Sequence, residues 1–226
     1  MTRRLPKPGT IEIAPSILSA DFAALAEEIA VVTSAGVRVI HLDIMDGHFV
    51  PNLTIGPPVV AKLRKHSDLV FDCHLMISEP DKYIEAFARA GADHITFHIE
   101  VADAPERTIE RIRDLGCTAG ITLNPETPVE SIAKVAPLCE MVLVMTVHPG
   151  FGGQAFMDDA ARKVIAVRQI VGPAVRIEVD GGIDPTTTPI VVSYGADTLV
   201  AGNAIFGRPD RPAAIQAIRE AWGQRV

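Results

Sequence analysis

Residues with metal-ligand chemistry recur where short apolar runs stop. The runs give way to His41-Leu-Asp43-Ile-Met45-Asp46-Gly47, to Asp72-Cys-His74-Leu-Met76 and to Glu178-Val-Asp180-Gly181-Gly182. Side chains alternate faces along a strand, so His41 and Asp43, two apart, point the same way. With His74 and Asp180 they offer two imidazoles and two carboxylates from three runs. Two nitrogen and two oxygen donors suit one borderline divalent ion such as Zn2+, Fe2+, Mn2+ or Co2+. The plainer alternative is a set of separate buried polar residues, each satisfied by its neighbours. Of the seven histidines, His66 and His94 are expected to be of that kind. Four such groups at matching run ends are harder to explain that way.

A second chemistry lies in the glycines. The segment Pro149-Gly150-Phe151-Gly152-Gly153-Gln154 precedes a helical stretch, Gly181-Gly182 follows Asp180, and Gly202-Asn203 follows the last apolar run. Glycines leave backbone N–H groups open to a phosphate. Any one of these loops could be a tight turn only, but three in succession favour a phosphate. Neither a Walker A motif nor GxGxxG is present, so no nucleotide cofactor is expected. Met45, Met76 and Met145 also close apolar runs. Methionines so placed usually fill the core; gathered at one rim, they also offer a polarizable wall around a reacting carbon.

These residues need elements that bring them together. Eight short segments rich in β-branched residues recur at 11–17, 37–43, 69–75, 92–98, 117–122, 140–146, 174–179 and 197–200. Stretches with helical periodicity separate them, among them FAALAEEIAVVTSAG, PDKYIEAFARAG and DDAARKVIAVRQIV. Gly36, Gly91, Gly116 and Gly195 each stand just before a strand, where a left-handed residue closes a helix. Their spacing fits whole numbers of a βα unit of about 27 residues. The strands read as near-continuously apolar except at their C-terminal ends, as in a parallel sheet covered by helices. Eight βα units predict a single-domain (β/α)8 TIM barrel, an α/β fold whose active site lies where strands pass into the following loops. An open doubly wound sheet is the competing architecture, usually with fewer strands. We expect a short extension over residues 1–10 and one catalytic barrel domain over 11–226.

Composition narrows the partners. The 226 residues are 48% hydrophobic and 22% charged, with a net charge of −7. That balance supports a sizeable core and disfavours nucleic acid. A small anion remains compatible, held by backbone N–H groups and helix ends rather than by a cluster of Lys or Arg. The longest apolar runs, 22–26 and 141–145, fall far short of a membrane span. The basic start MTRRLPKPGT is followed by no apolar stretch of a secretory signal. Cys73, Cys117 and Cys139 form no CxxC pair, as expected of buried, reduced thiols in a cytoplasmic protein.

Several long motifs in order make the chain recognisable. APSILSADF (14–22), HLDIMDGHFVPNLTIGP (41–57), DCHLMISEPDKYI (72–84), AGADHITFHIE (90–100), MTVHPGFGGQAF (145–156) and EVDGGI (178–183) resemble the ribulose-phosphate 3-epimerase family along nearly the whole length. The resemblance implies a (β/α)8 fold, interconversion of D-ribulose 5-phosphate and D-xylulose 5-phosphate, and a homo-oligomer. It implies His41, Asp43, His74 and Asp180 as metal ligands, with Asp43 and Asp180 also serving as acid and base. It implies substrate contacts from Ser16, His74, Gly150, Phe151, Gly152, Gly153, Asp180, Gly181, Gly182, Gly202 and Asn203. Asn203 stands where the family commonly has Ser, which leaves its backbone N–H for the phosphate. His148 is assigned no role.

The constellation suits that reaction. Inverting C3 beside a C2 ketone removes a carbon-bound proton and returns one from the opposite face. Two carboxylates flanking a planar enediolate can do both, and a metal on the C2 and C3 oxygens stabilises the charge that develops. The same chemistry would serve a six-carbon ketose phosphate such as allulose 6-phosphate. A related decarboxylase or aldol barrel fits the HxD, H and DGG set less well. A non-catalytic sugar-phosphate binder would need no pair of aspartates.

Overall fold

Eight parallel strands in sequence order make up a barrel in the structure, a computed structural model that describes residues 3–223. The first two residues of the expected extension and the last three of the expected barrel domain lie outside them. The strands are β1 (Glu12–Pro15), β2 (Val39–Met45), β3 (Val70–Met76), β4 (His94–His98), β5 (Thr118–Leu123), β6 (Met141–Met145), β7 (Arg176–Asp180) and β8 (Thr198–Ala201). β1 pairs with β8, and a bridge between Ser16 and His41 brings β1 against β2. Around them run α1 (Leu25–Ser34), α2 (Pro57–Leu63), α3 (Pro80–Ala90), α4 (Pro105–Asp114), α5 (Asp158–Ala161), α6 (Lys163–Val171), α7 (Thr188–Tyr194), α8 (Asn203–Phe206) and α9 (Arg211–Ala221).

The helices begin and end as their residues dictate. Proline opens α2, α3 and α4, where its missing N–H costs nothing. The four glycines before strands all take positive φ, from +77° at Gly36 to +109° at Gly91 and Gly195, as a left-handed helix stop requires. α3 turns Ile84 and Phe87 into the core, each burial stabilising by roughly 1.5–3 kcal/mol. α9 closes the ring against α1 through an Arg211–Glu28 ion pair of 2.8 Å and an Arg219 Nη1 bond of 2.7 Å to the Ala35 carbonyl.

Two features depart from the sequence reading. Between β5 and β6 stand two 3-10 turns, Val129–Ile132 and Ala136–Leu138, with no α-helix. Pro128 and Pro137 flank and interrupt that stretch and withhold two N–H donors. The strands are also not apolar up to their ends. Glu12, Asp72, His94, Thr198, Arg176 and Glu178 are all buried, on the alternating residues that face the barrel interior. The polar residues lie within the strands, and the backbone pairing carries β2 on to Met45 and β7 to Asp180.

The barrel floor is built around Arg176, 1% exposed. Its guanidinium donates to Thr198 Oγ1 (2.8 Å) and to the carbonyls of Lys7 (2.7 Å), Thr10 (2.9 Å) and Asp197 (2.6 Å). Residues 3–10 are thus tied to the N-terminal end of the barrel, opposite the rim where the strands end. Gly120 is small for a reason: a Cβ there would collide with Thr96 Oγ1 and lie only 2.5 Å from His94 Nε2. That His94 is buried and bonded to Thr118 (2.7 Å) and Thr96 (3.1 Å), as expected of a structural histidine. His66, by contrast, is exposed, so it needs no buried partner. The three cysteines are buried and free. No helix among the described residues is long and apolar enough to cross a membrane.

Candidate active site and metal centre

β2, β3 and β7 bring His41, Asp43, His74 and Asp180 to one place. One ligand atom from each lies within 4.8 Å of the other three. Asp43 Oδ1 is 3.5 Å from His41 Nε2 and 3.6 Å from His74 Nδ1, and Asp180 Oδ2 is 3.9 Å from both nitrogens. The register explains the meeting. Asp43 pairs with His74 across β2 and β3, while β7 approaches from the far side of the sheet order.

The two imidazoles are fully buried, and the nitrogens they turn to this cluster have no hydrogen-bond partner. A buried, unpaired ring nitrogen costs free energy unless something accepts its lone pair. Two such nitrogens beside two carboxylates fit a divalent cation. On its other side His41 Nδ1 meets Asp72 Oδ2 at 2.6 Å, and His74 Nε2 meets His98 Nε2 at 2.8 Å. Outer partners of this kind orient metal-binding imidazoles.

Charge is distributed unevenly. Burial works to raise the Asp43 carboxyl, but the charge of His41 and the closeness of the His41 and His74 imidazoles outweigh it, so its pKa falls below the usual carboxylate range. Ser16 Oγ donates to Asp43 Oδ2 at 2.5 Å and further favours the ionised form. Asp180 shifts the other way, pushed up to about 7 by burial and by the negative charge of Asp43. Burial lowers His74 to about 4. His41 is raised: burial opposes its charge, but Asp72 and Asp43 more than compensate.

Above the four groups opens a cavity of about 410 Å³, a size suited to a small ligand. Asp43 and Asp180 line it; His41 and His74 do not, and lie beneath. Ser16 lines it too, as do Met45, Met76 and Met145, the last residues of β2, β3 and β6. Part of the remaining wall comes from Gly150, Phe151, Gly152 and Gly153, from Gly181 and Gly182, and from Gly202 and Asn203. Gly182 has φ +66°, and a Cβ on it would lie 2.7 Å from the Phe156 backbone, so β7's loop can pass that close to the β6 loop only as glycine. Asn52 Nδ2 donates to the Gly150 carbonyl at 2.7 Å, tying the loop after β2 to the loop after β6. Phe151 stands 55% exposed in that loop. His148 is exposed beside Glu126, outside the cavity lining.

Residues 12–206 match the ribulose-phosphate 3 epimerase family. The chain belongs to that family. It is 50% identical over 213 residues to the ribulose-phosphate 3-epimerase of Bacillus subtilis (strain 168), covering 92% of this chain and 98% of that one. It is 48% identical over 214 residues to a cytoplasmic isoform of ribulose-phosphate 3-epimerase from Oryza sativa subsp. japonica, covering 93% of each. A crystal structure of KGPDC from Streptococcus mutans superposes with a TM-score of 0.75 at 13% identity, covering 94% of this chain and 97% of that one. At that identity the likeness concerns the fold alone.

Several residues of this epimerase-family site escape sequence reasoning. Asp72 and Glu178 read as punctuation at strand ends, yet both sit in the barrel beneath His41, with Glu178 Oε1 3.7 Å from its Nδ1. His98 closes the run 92–98 and Glu100 follows two residues on, but only the β3–β4 pairing brings them to His74. Ser19 and Arg208 line the cavity along with Gly202 and Asn203, so one cationic residue stands at the wall that the glycine loops form.

Proposed function

We propose that the protein interconverts D-ribulose 5-phosphate and D-xylulose 5-phosphate by proton transfer at C3, with Asp43 and Asp180 as the proton-transfer pair. Family membership supports the reaction. The observation that carries the residue assignment is that these two acids, alone among the four clustered groups, face the cavity. Their opposite shifts in the ion-free protein support it as well: Asp43 is held as a carboxylate, the form that accepts a proton, and Asp180 is the acid that binds one more readily. On reversal they exchange roles.

His41, His74, Asp43 and Asp180 would hold one divalent ion, Zn2+, Fe2+, Mn2+ or Co2+, which when bound stabilises the negative charge developing on the C2 and C3 oxygens. Ser16 holds the Asp43 carboxylate in place through its 2.5 Å hydrogen bond and fixes its spare lone pairs toward the cavity and the histidines. Met45, Met76 and Met145 pack an apolar, polarizable wall around the carbon skeleton and keep water from the planar enediolate. Backbone N–H groups of Gly150–Gly153, Gly181–Gly182 and Gly202–Asn203 hold the phosphate end of the substrate. We place the enzyme in the cytoplasm and expect it to work as a homo-oligomer, which light scattering measures directly.

The test is an epimerase assay on D-ribulose 5-phosphate with chelation and metal add-back, run beside allulose 6-phosphate. Xylulose 5-phosphate formed, lost on chelation and restored by a divalent ion, is the expected result. Turnover confined to the six-carbon substrate, or none with any added ion, contradicts the reading.

A further inference from the structure

Behind His74 runs a chain of hydrogen bonds with a fixed direction. Glu100, in the turn after β4, accepts the Asn124 backbone N–H at 2.8 Å on Oε1 and also the Thr127 hydroxyl. Its Oε2 lies 3.1 Å from His98 Nδ1. His98 Nε2 in turn lies 2.8 Å from His74 Nε2. Phe49 packs on the His98 ring with centroids 4.5 Å apart, and the His98 and His74 rings meet edge to edge, 21° from parallel with centroids 5.0 Å apart.

We infer that Glu100 and His98 are positioning residues that set the tautomer of His74 and so expose its Nδ1 lone pair to the metal centre. A carboxylate already taking two donors can only accept, so His98 carries its hydrogen on Nδ1. Its Nε2 is then bare. Two facing nitrogens need one hydrogen between them, and His74 Nε2 must supply it. That leaves His74 Nδ1 without hydrogen, turned to Asp43 at 3.6 Å and Asp180 at 3.9 Å and lacking any other partner. Neither carboxylate is near enough to claim a hydrogen on Nδ1 and reverse the chain. His41 shows the same arrangement with one link: its Nδ1 faces Asp72 at 2.6 Å and its Nε2 faces the centre. The inference rests on the proposed metal role of His74.

Glu100→Gln tests the direction. The fixed N–H of Asn124 demands an oxygen opposite it, so the amide must turn its NH2 to His98. His98 Nδ1 then accepts, Nε2–H donates to His74 Nε2, and the His74 hydrogen moves to Nδ1, where it blocks ligation. Long-range 1H–15N spectra of histidine-labelled, metal-free protein at neutral pH read both rings. Wild type should show Nδ1–H on His98 and Nε2–H on His74, and the folded variant should show both reversed. Zn2+ affinity of the variant, measured against a competing chelator, should fall about 10–100-fold. Wild-type His74 with its hydrogen on Nδ1 overturns the relay, whether or not the variant folds. So does a folded variant that keeps both tautomers and wild-type affinity. Epimerase activity is read separately: the expected tautomers in a protein without turnover count against the proposed reaction and not against the relay.

Discussion

Asp43 and Asp180 face the same His41 nitrogen, at 3.5 and 3.9 Å, from strands that are not neighbours in the barrel. One is held ionised by its histidines and Ser16, and the other is pushed toward neutral pH. Replacing either with Asn keeps shape and removes the titrating oxygen. Asp43→Asn and Asp180→Asn should each lose C3 proton exchange, with kcat falling by at least about 10²–10⁴-fold. Thermal unfolding should show both variants folded, and near-wild-type turnover in either would end the two-acid scheme.

Metal binding should depend on pH with a definite sign. Asp180, pushed up to about 7, carries a proton below neutral pH in the ion-free protein. Ligation competes with that proton, so Zn2+ binding releases it and tightens as pH rises through about 7. Chelator competition at constant ionic strength measures this. Affinity that is flat from about pH 6 to 8 is the contrary outcome. His41→Ala and His74→Ala should each lower the metal recovered in elemental analysis.

Arg176 separates stability from chemistry. It is buried at the floor, bonded to carbonyls of the N-terminal segment and 3.4 Å from Asp197 Oδ1. Arg176→Met strands these partners in the interior and should cost about 3–5 kcal/mol, seen as a lower denaturant midpoint. At temperatures where the variant is folded, kcat should stay close to wild type, because the floor lies at the other end of the barrel from the rim. A large loss of kcat with unchanged stability would show that the floor and rim are coupled.

The bond from Asn52 to the Gly150 carbonyl joins two loops that frame the cavity. Asn52→Ala should cost only about 0.5–1.5 kcal/mol of stability. Its larger effect should be a raised KM for the sugar phosphate, since Gly150–Gly153 no longer start from the binding position. Steady-state kinetics showing an unchanged KM would make the tie purely structural.

Much of this site is legible in one dimension because each of its groups ends a strand. The glycine stops at 36, 91, 116 and 195 mark repeats, and the repeats place residues 41–45, 72–76 and 178–182 on a common rim. Other features depend on pairing that no local pattern carries. Asp72 bears on His41 only through the β2–β3 register. His98 and Glu100 reach His74 only once β4 lies beside β3. The polar interior was hidden for a similar reason: Arg176 and Glu178 alternate with Ile177 and Val179, and a buried ladder with one polar face resembles the end of an apolar strand. The missing helix before β6 follows from prolines that remove donors, a local signal overridden in the sequence by the regularity of the repeat.

Isotope exchange reaches the paired acids most directly. Metal-loaded protein turning over D-ribulose 5-phosphate in D2O should yield xylulose 5-phosphate carrying deuterium at C3, because the proton returned comes from an acid that has exchanged with solvent. Xylulose 5-phosphate formed with its C3 hydrogen retained would contradict proton transfer by Asp43 and Asp180 as a pair.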